Sequence, residues 1–319
     1  MTVNMTHEVK VAVQRVDGFI HALPQPLCSM GEAFAAQGFP YRTIFIENDL
    51  AFPGLYLPYW IAEYSNRGRD FDKTMMDYIR ECTYAALVGY LYIRIQDDIY
   101  DHKDDNDPSW LLIANEFIRE CFDVYRNLFP SNAVFWNYFR QVWLDFSQAT
   151  AWEIKTCRNH VHPLKDIELL LVGKKLSFAK VPITAILLIE DHETDLPIVF
   201  EIIDLLATSS QLLNDLWSLE RDYKTKHYTF PLSSLLDPHD KIEDTISQNV
   251  VFEKLLQKKS IEDLFNHVLM LDRKVMMLLE TYPVVDLALF IEKRIGLVEN
   301  LKRQYLRMKL DALCRSSEE

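Results

Sequence analysis

Helical periodicity runs through almost the whole of this sequence and limits the folds that are open to it. Sustained alternation of apolar and polar residues, which a half-buried β-strand needs, is almost absent from the 319 residues. Only eight residues are glycine, which argues against glycine-rich phosphate-binding loops. Because 49% of the residues are hydrophobic, the chain can bury a large core. We therefore predict an all-α protein.

The predicted helices follow one another without an internal repeat, a low-complexity tract or a long linker. We predict a single domain over residues 1–319, a bundle or barrel of about ten to twelve helices. Residues 1–56 contain four interrupting prolines and are expected to form an irregular N-terminal wrap with one or two short helices. Pro182 predicts a kink near residues 178–182. Longer helices are expected over residues 70–102, 110–129, 130–158, 164–190, 197–224, 248–281 and 285–312.

Charge and cysteine content exclude several classes of function. The net charge of −13 disfavours binding to nucleic acid or to anionic membranes, and an acidic protein that binds a phosphorylated substrate needs cations. The five cysteines are scattered, as expected for reduced core residues. We find no signal peptide and no apolar run of about 18 residues, so we expect a cytoplasmic protein without a transmembrane segment.

The stretch from Leu87 to Asp105 begins as an apolar helix and ends in acidic residues. Asp97 and Asp101 are four residues apart and share one helix face, with Asp98 about 100° around the helix axis. Arg94 and Tyr90 lie on preceding turns. Carboxylates near a helix C-terminus are unfavourable by ~0.3–1 kcal/mol each, and a Mg²⁺ ion would relieve this repulsion. The alternative is an ordinary acidic helix end that continues into a solvated loop.

A second polar line lies on the helix expected over residues 197–224. Asn214, Ser218 and Asp222 are spaced at i, i+4 and i+8, so that an amide, a hydroxyl and a carboxylate share one face. Such oxygen donors suit Mg²⁺. The alternative is a solvated polar helix face without a ligand.

Both stretches resemble metal-binding motifs of the class I isoprenoid synthases. The run from Asp97 to Asp101 resembles their DDxxD motif, and the run from Asn214 to Asp222 resembles the terpene synthase motif (N/D)DxxSxxxE, with aspartate in the last place. The resemblance implies a helical barrel in which the two motifs bind about three Mg²⁺ ions and an isoprenyl diphosphate. It implies these metal ligands: Asp97, Asp101, Asn214, Ser218 and Asp222. It also assigns catalytic roles to Asp97, Asp98, Asp101 and Arg94.

The same resemblance suggests which side chains bind the diphosphate and line the cavity. Terpene synthases have a diphosphate-binding arginine on a kinked helix before the second motif, where this chain has only lysines. Their C-terminal Arg–Tyr pair corresponds here to Arg303 and Tyr305, separated by Gln304. The expected diphosphate contacts are Arg94, Lys175, Lys180, Lys226, Arg303 and Tyr305. Tyr90 and Phe178 are the expected cavity aromatics, since aromatic faces stabilise carbocations by ~0.5–2 kcal/mol.

Several activities fit these residues. Ser218, and the absence from residues 1–56 of a basic motif for a second diphosphate, favour a terpene cyclase that converts one allylic diphosphate to a hydrocarbon or alcohol and pyrophosphate. The first motif also resembles that of squalene and phytoene synthases, and chain-elongating prenyl diphosphate synthases are similar too. A non-catalytic helical regulatory subunit is the remaining alternative. The oligomeric state is left open, with a homodimer among the alternatives.

Overall fold

The computed structural model describes residues 5–37, 49–66, 72–101, 109–158, 161–162, 164–235 and 258–316. Within these ranges the chain forms thirteen α-helices, two short 3-10 helices and no β-strand. Arg158 and His227 form an isolated antiparallel bridge. Eleven of the α-helices have eight or more residues, so the prediction of an all-α fold with ten to twelve helices is confirmed.

The helices are numbered here in chain order. The first seven are α1 (Met5–Ala22), α2 (Leu27–Gln37), α3 (Leu57–Ser65), α4 (Lys73–Asp101), α5 (Trp110–Leu128), α6 (Phe135–Thr156) and α7 (Asp166–Gly173). The next six are α8 (Lys180–Ile189), α9 (Leu196–Trp217), α10 (Leu219–Lys224), α11 (Phe230–Leu235), α12 (Ser260–Thr281) and α13 (Val285–Ser316). The 3-10 helices are Lys174–Ala179 and Glu193–Asp195.

The chain divides into two compact units. Unit 1 comprises Met1–Asp145, Ser177–Ile203 and Tyr282–Leu287, and unit 2 comprises Phe146–Leu176, Asp204–Thr281 and Ala288–Glu319. The prediction of a single domain over the whole chain stays a prediction.

Helix α4 is the centre of unit 1, where it packs against α1, α5 and α8. Its apolar residues recur at helical spacing, and its buried residues extend from Met75 to Ile95. Burial of each such side chain stabilises the fold by ~1.5–3 kcal/mol. This burial holds α4, which carries the first acidic motif, in its position in unit 1. The buried residues of α4 include Ile79, Leu87, Val88, Leu91 and Ile95.

The N-terminal segment is more regular than expected. Helices α1 and α2 have 18 and 11 residues, and Val9, Val16 and Ile20 of α1 are buried in the core of unit 1. Residues 38–48 of the expected wrap lie outside the described ranges.

Two expected long helices are interrupted. The helix expected over 164–190 breaks as predicted, and Pro182 lies in the first turn of α8, where its missing N–H costs no hydrogen bond. The prediction of one continuous helix over residues 197–224 is wrong. Helix α9 ends at Trp217, and α10 begins at Leu219 after Ser218.

An ion pair is fully buried in unit 2. Arg294 Nε donates to Asp272 Oδ2 at 3.0 Å, and its Nη2 donates to Ser209 Oγ at 2.9 Å. Burial lowers the pKa of Arg294, and the charge of Asp272 opposes that shift. These contacts connect α13 with α12 and α9.

Within the described ranges one stretch, Glu193–Trp217, is long and apolar enough to cross a membrane, although no such apolar run was expected from the sequence. Two thirds of its apolar window, 67%, is buried inside the protein, and the core helix of a soluble protein passes the same test.

Candidate active site

The first acidic motif is organised by an arginine on its own helix. Arg94 Nη2 donates to Asp98 Oδ1 at 2.6 Å, and Arg94 Nη1 donates to Asp97 Oδ2 at 3.3 Å. The three side chains are each about one quarter exposed, at 24% for Arg94 and 27% for each aspartate. Asp101 is the last residue of α4, and its side chain lies outside the described part of the structure. One guanidinium therefore holds two partly exposed carboxylates together.

Tyr90 lies one turn before Arg94. Burial raises the pKa of its hydroxyl to about 12, while the Arg94 charge acts in the opposite direction. The charges of Asp97 and Asp98 raise the pKa further, so the Tyr90 hydroxyl is neutral at physiological pH. The hydroxyl therefore interacts electrostatically with the motif.

Phe178 lies in an aromatic cluster of unit 1. Its ring centroid is 5.8 Å from Trp143 and 6.1 Å from Phe139, with edge-to-face geometry in both pairs. A Cβ atom added to Gly89 of α4 would lie 2.2 Å from Phe178 Cε1. Gly89 is therefore the residue that lets the Phe178 ring lie against α4.

Unit 1 also contains a cavity of about 980 Å³. Neither Tyr90 nor Phe178 is among the described residues that line it, and their role as cavity aromatics stays a prediction. Aromatic and acidic side chains line this cavity, among them Trp60, Glu63, Tyr64, Asp195 and Asp286.

The second motif, in unit 2, has a different geometry from the straight polar line predicted. Asn214 is exposed in the last turn of α9. Ser218 occupies the break between α9 and α10, and its hydroxyl donates to Asp222 Oδ2 at 2.5 Å. Asp222 is only 2% exposed. Burial raises the pKa of Asp222, whereas the Ser218 hydrogen bond, His227 and Arg221 lower it.

The expected diphosphate contacts are distributed over both units. Lys180, in unit 1, is buried, with its ammonium 5.0 Å from the centre of the Phe200 ring. In unit 2, Lys226 and Arg303 are exposed. Burial raises the pKa of Tyr305 to about 12, and Glu262 raises it further. The binding roles of these residues stay predictions.

Lys175 contacts a buried carboxylate. Its Nζ lies 2.7 Å from Glu153 Oε2, and His227 Nε2 lies 3.5 Å from Glu153 Oε1. Burial by itself raises the pKa of Glu153, but Lys175 and His227 outweigh it and lower the pKa to about 2. Glu153 is therefore ionised at neutral pH.

No protein-family model and no curated protein matches this sequence. Solved structures do match. The polyprenyl synthase of Caulobacter crescentus, solved with calcium and isoprenyl diphosphate, matches with a TM-score of 0.72 at 11% identity, over 93% of this chain and 95% of that one. The octaprenyl pyrophosphate synthase of Helicobacter pylori matches with a TM-score of 0.67 at 13% identity, over 91% and 98%. The geranylgeranyl pyrophosphate synthase of Lactobacillus brevis has a TM-score of 0.66 at 12% identity, over 91% and 96%.

The chain has the class I isoprenoid synthase fold. The fold implied by the two motifs is thereby confirmed. At this level of identity the similarity concerns the fold alone, and the activity has to be argued from the site.

The residues of this isoprenoid synthase fold offer Mg²⁺ the oxygen donors that it prefers. Asp97 and Asp98 present carboxylates in unit 1, and Asp222 with Ser218 presents a carboxylate and a hydroxyl in unit 2. Among the described residues, however, no three His, Cys, Asp or Glu side chains form a group that could hold a metal by themselves. The donor chemistry fits Mg²⁺, with substrate oxygens needed to complete its coordination.

The predicted site residues did not include Asp215 and Glu153, two of the buried acids of unit 2. Asp215 is 2% exposed and accepts a hydrogen bond from Gln211 Nε2 at 2.9 Å. Burial, and then the nearby Asp222, raises the pKa of Asp215 to about 7. Glu153 is the second acid, and it lies at helical spacing from buried Ala149 and Cys157. A glutamate on an apolar helix face was the signal that could have identified it.

Proposed function

We propose that this chain is a Mg²⁺-dependent enzyme that acts on an isoprenyl diphosphate, and specifically a prenyltransferase that joins an allylic diphosphate to a second isoprenoid unit. The observation that carries the proposal is the fold similarity. It extends over 91% or more of this chain to structures named as prenyl and polyprenyl diphosphate synthases. The Caulobacter protein was solved with an isoprenyl diphosphate, which supports the same substrate class here.

The proposed reaction begins when the carbon–oxygen bond of the allylic diphosphate breaks and its electron pair leaves with pyrophosphate. The double bond of the second isoprenoid then attacks the allylic cation, and loss of a proton completes the new double bond. When bound, Mg²⁺ stabilises the negative charge that develops on the leaving group. Asp97 and Asp101 of α4 would offer it carboxylate oxygens in unit 1, and Asn214, Ser218 and Asp222 would offer it oxygen ligands in unit 2.

The protein's own residues have two further tasks. Arg94 keeps Asp97 and Asp98 in one cluster, so that the carboxylates are oriented before the substrate arrives. The aromatic side chains around Phe178 provide surfaces that are not nucleophilic and exclude water from a carbocation.

A terpene cyclase is the second candidate function. The observation that favours it is Ser218, which occupies the serine place of the terpene synthase motif and contacts Asp222 directly. The sequence of residues 1–56 contains no basic motif for a second diphosphate, which a chain-elongating enzyme normally carries. Arg42, the nearest basic residue, lies outside the described ranges.

The two candidates differ in the number of substrates. The purified chain is incubated with Mg²⁺ and the C10, C15 or C20 allylic diphosphate, with and without isopentenyl diphosphate, and products and pyrophosphate are quantified. A longer prenyl diphosphate that forms only with isopentenyl diphosphate is the expected result. A hydrocarbon or alcohol from one substrate alone would support the cyclase, and a head-to-head dimeric product would indicate a squalene-type enzyme. No turnover, and no thermal stabilisation by Mg²⁺ with pyrophosphate, would favour the non-catalytic subunit.

A cytoplasmic location belongs to the same proposal, and the oligomeric state stays open, with a homodimer among the alternatives. The buried face of Glu193–Trp217 supports a soluble chain. Light scattering on the purified protein measures the mass directly, and 37.5 kDa would identify a monomer.

A further inference from the structure

Three chain segments of unit 2 meet at one buried carboxylate. Glu153 lies near the end of α6, Lys175 lies in the 3-10 helix after α7, and His227 lies in the turn after α10. The Lys175 ammonium and the His227 ring contact different oxygens of Glu153, at 2.7 and 3.5 Å. Glu153 is 4% exposed and His227 is 5% exposed, so this contact lies in the interior of the unit.

The main chain strengthens the same junction. The backbone N–H of Tyr228 donates to the carbonyl of Cys157 at 2.6 Å, and His227 N–H donates to the carbonyl of Asp222 at 2.8 Å. The turn that carries His227 is therefore bonded both to the end of α6 and to the last acid of the second motif.

The pair formed by Glu153 and Lys175 is connected to that motif through His227, whose ring lies 3.5 Å from Glu153 and whose backbone N–H donates to the carbonyl of Asp222 at 2.8 Å. The Lys175 side chain is 13% exposed, and a partly buried ammonium is stabilised and held in place by a buried carboxylate at 2.7 Å.

We propose that Glu153 is a positioning residue that holds the Lys175 ammonium in place to bind the diphosphate beside the second motif. This inference rests on the proposed function, because it needs a diphosphate at that motif. Glu153 belongs to neither motif, and its ion pair determines the position of the Lys175 ammonium. Glu153 contacts the ammonium and acts on the diphosphate only through it.

The test is a double-mutant cycle with Mg²⁺ and inorganic pyrophosphate as the probe, measured by titration calorimetry on the full chain. We expect Lys175→Met to weaken pyrophosphate binding about tenfold and Glu153→Gln to weaken it several-fold. The double variant should bind within about twofold of Lys175→Met, because a residue that acts through Lys175 has no effect once Lys175 is gone.

Lys309→Met is the matched control. Lys309 forms a comparable ion pair with Glu262 at 2.6 Å, also in unit 2 and also partly buried. The Lys309→Met substitution should leave the affinity for pyrophosphate unchanged. If Glu153→Gln does not fold, Glu153→Asp keeps the charge, shortens the side chain by one methylene and completes the same cycle.

The outcomes separate the two claims. If the unmodified chain does not bind Mg²⁺ with pyrophosphate, the proposed function and this inference both fail. If it binds but Lys175→Met binds equally well, or if the two single effects add in the double variant, only the positioning role is overturned. A lower melting temperature of Glu153→Gln with unchanged pyrophosphate affinity would likewise leave Glu153 a purely structural residue.

Discussion

The hydroxyl of Ser218 donates a hydrogen bond to a carboxylate oxygen of Asp222, across the break between α9 and α10. Because Asp222 is almost completely buried, it depends on this donor and on a few neighbours to remain charged. Ser218 thus supports a candidate metal ligand in addition to being one.

The first prediction concerns this hydrogen bond. Ser218→Ala should lower the free energy of unfolding by ~1–3 kcal/mol in metal-free buffer, since it deprives a buried carboxylate of a partner. Urea unfolding monitored by circular dichroism measures the change. Ser234→Ala is the control, because the Ser234 side chain is exposed, and its effect should remain within about 0.5 kcal/mol. Equal stability of Ser218→Ala and the unmodified chain would mean that Ser218 contributes only through a bound metal.

The second prediction concerns the arginine of the first motif. Arg94→Lys should reduce turnover about ten- to a hundredfold, because a lysine ammonium cannot contact two carboxylates with the geometry of a guanidinium. Steady-state pyrophosphate release at saturating Mg²⁺ measures the loss. Arg119 likewise bridges two acids, Glu116 and Asp123, on the exposed face of α5. Arg119→Lys should therefore leave turnover unchanged, and an equal loss in both variants would contradict a specific role for Arg94.

The third prediction tests the contact between Gly89 and Phe178. Gly89→Ala places a methyl group 2.2 Å from a ring carbon, so the ring or α4 has to move. We expect a net loss of ~1–2 kcal/mol in the free energy of unfolding, since overpacking exceeds the gain in helix propensity.

Gly18→Ala is the control for that change, because apart from the neighbouring residues and backbone of its own helix no atom lies within 4 Å of the added methyl group. It should stabilise the protein by ~0.5–1 kcal/mol. A second variant, Gly89→Ala with Phe178→Leu, should regain part of the lost stability. Stabilisation by Gly89→Ala alone would show that the aromatic cluster adjusts freely.

The fourth prediction concerns the acid side of the stability profile. The folded pKa of Glu153 is about 2, below the reference value of 4.5, so its ionised form stabilises the fold at neutral pH. That contribution is present above about pH 4.5 and is lost as the pH falls towards 2. Glu153→Gln should be less stable than the unmodified chain at pH 6 by ~3 kcal/mol, with the difference shrinking between pH 4.5 and 2. A difference that stays constant over this range would contradict an ionised Glu153.

The helices of this protein follow from local properties of its sequence. Apolar periodicity, prolines and the near absence of alternation predict where the helices lie, and α5 and α13 end within a few residues of their expected limits. The acidic run on α4 is equally local, because the i, i+3 and i+4 positions of a helix are neighbours in any context. Arg94 can therefore be matched to Asp97 and Asp98 from spacing alone.

The geometry and burial of the second motif depend on the tertiary structure. Spacing alone predicted a straight helix with three oxygens in line, but the chain breaks at Ser218, and Asp222 becomes buried among partners that include Thr229 and Arg221. The charge states of Asp215 and Glu153 also depend on partners distant in sequence, such as Lys175 for Glu153. Burial and charge pairing are properties of the packed chain, and no local periodicity determines which side chain from another helix supplies the partner.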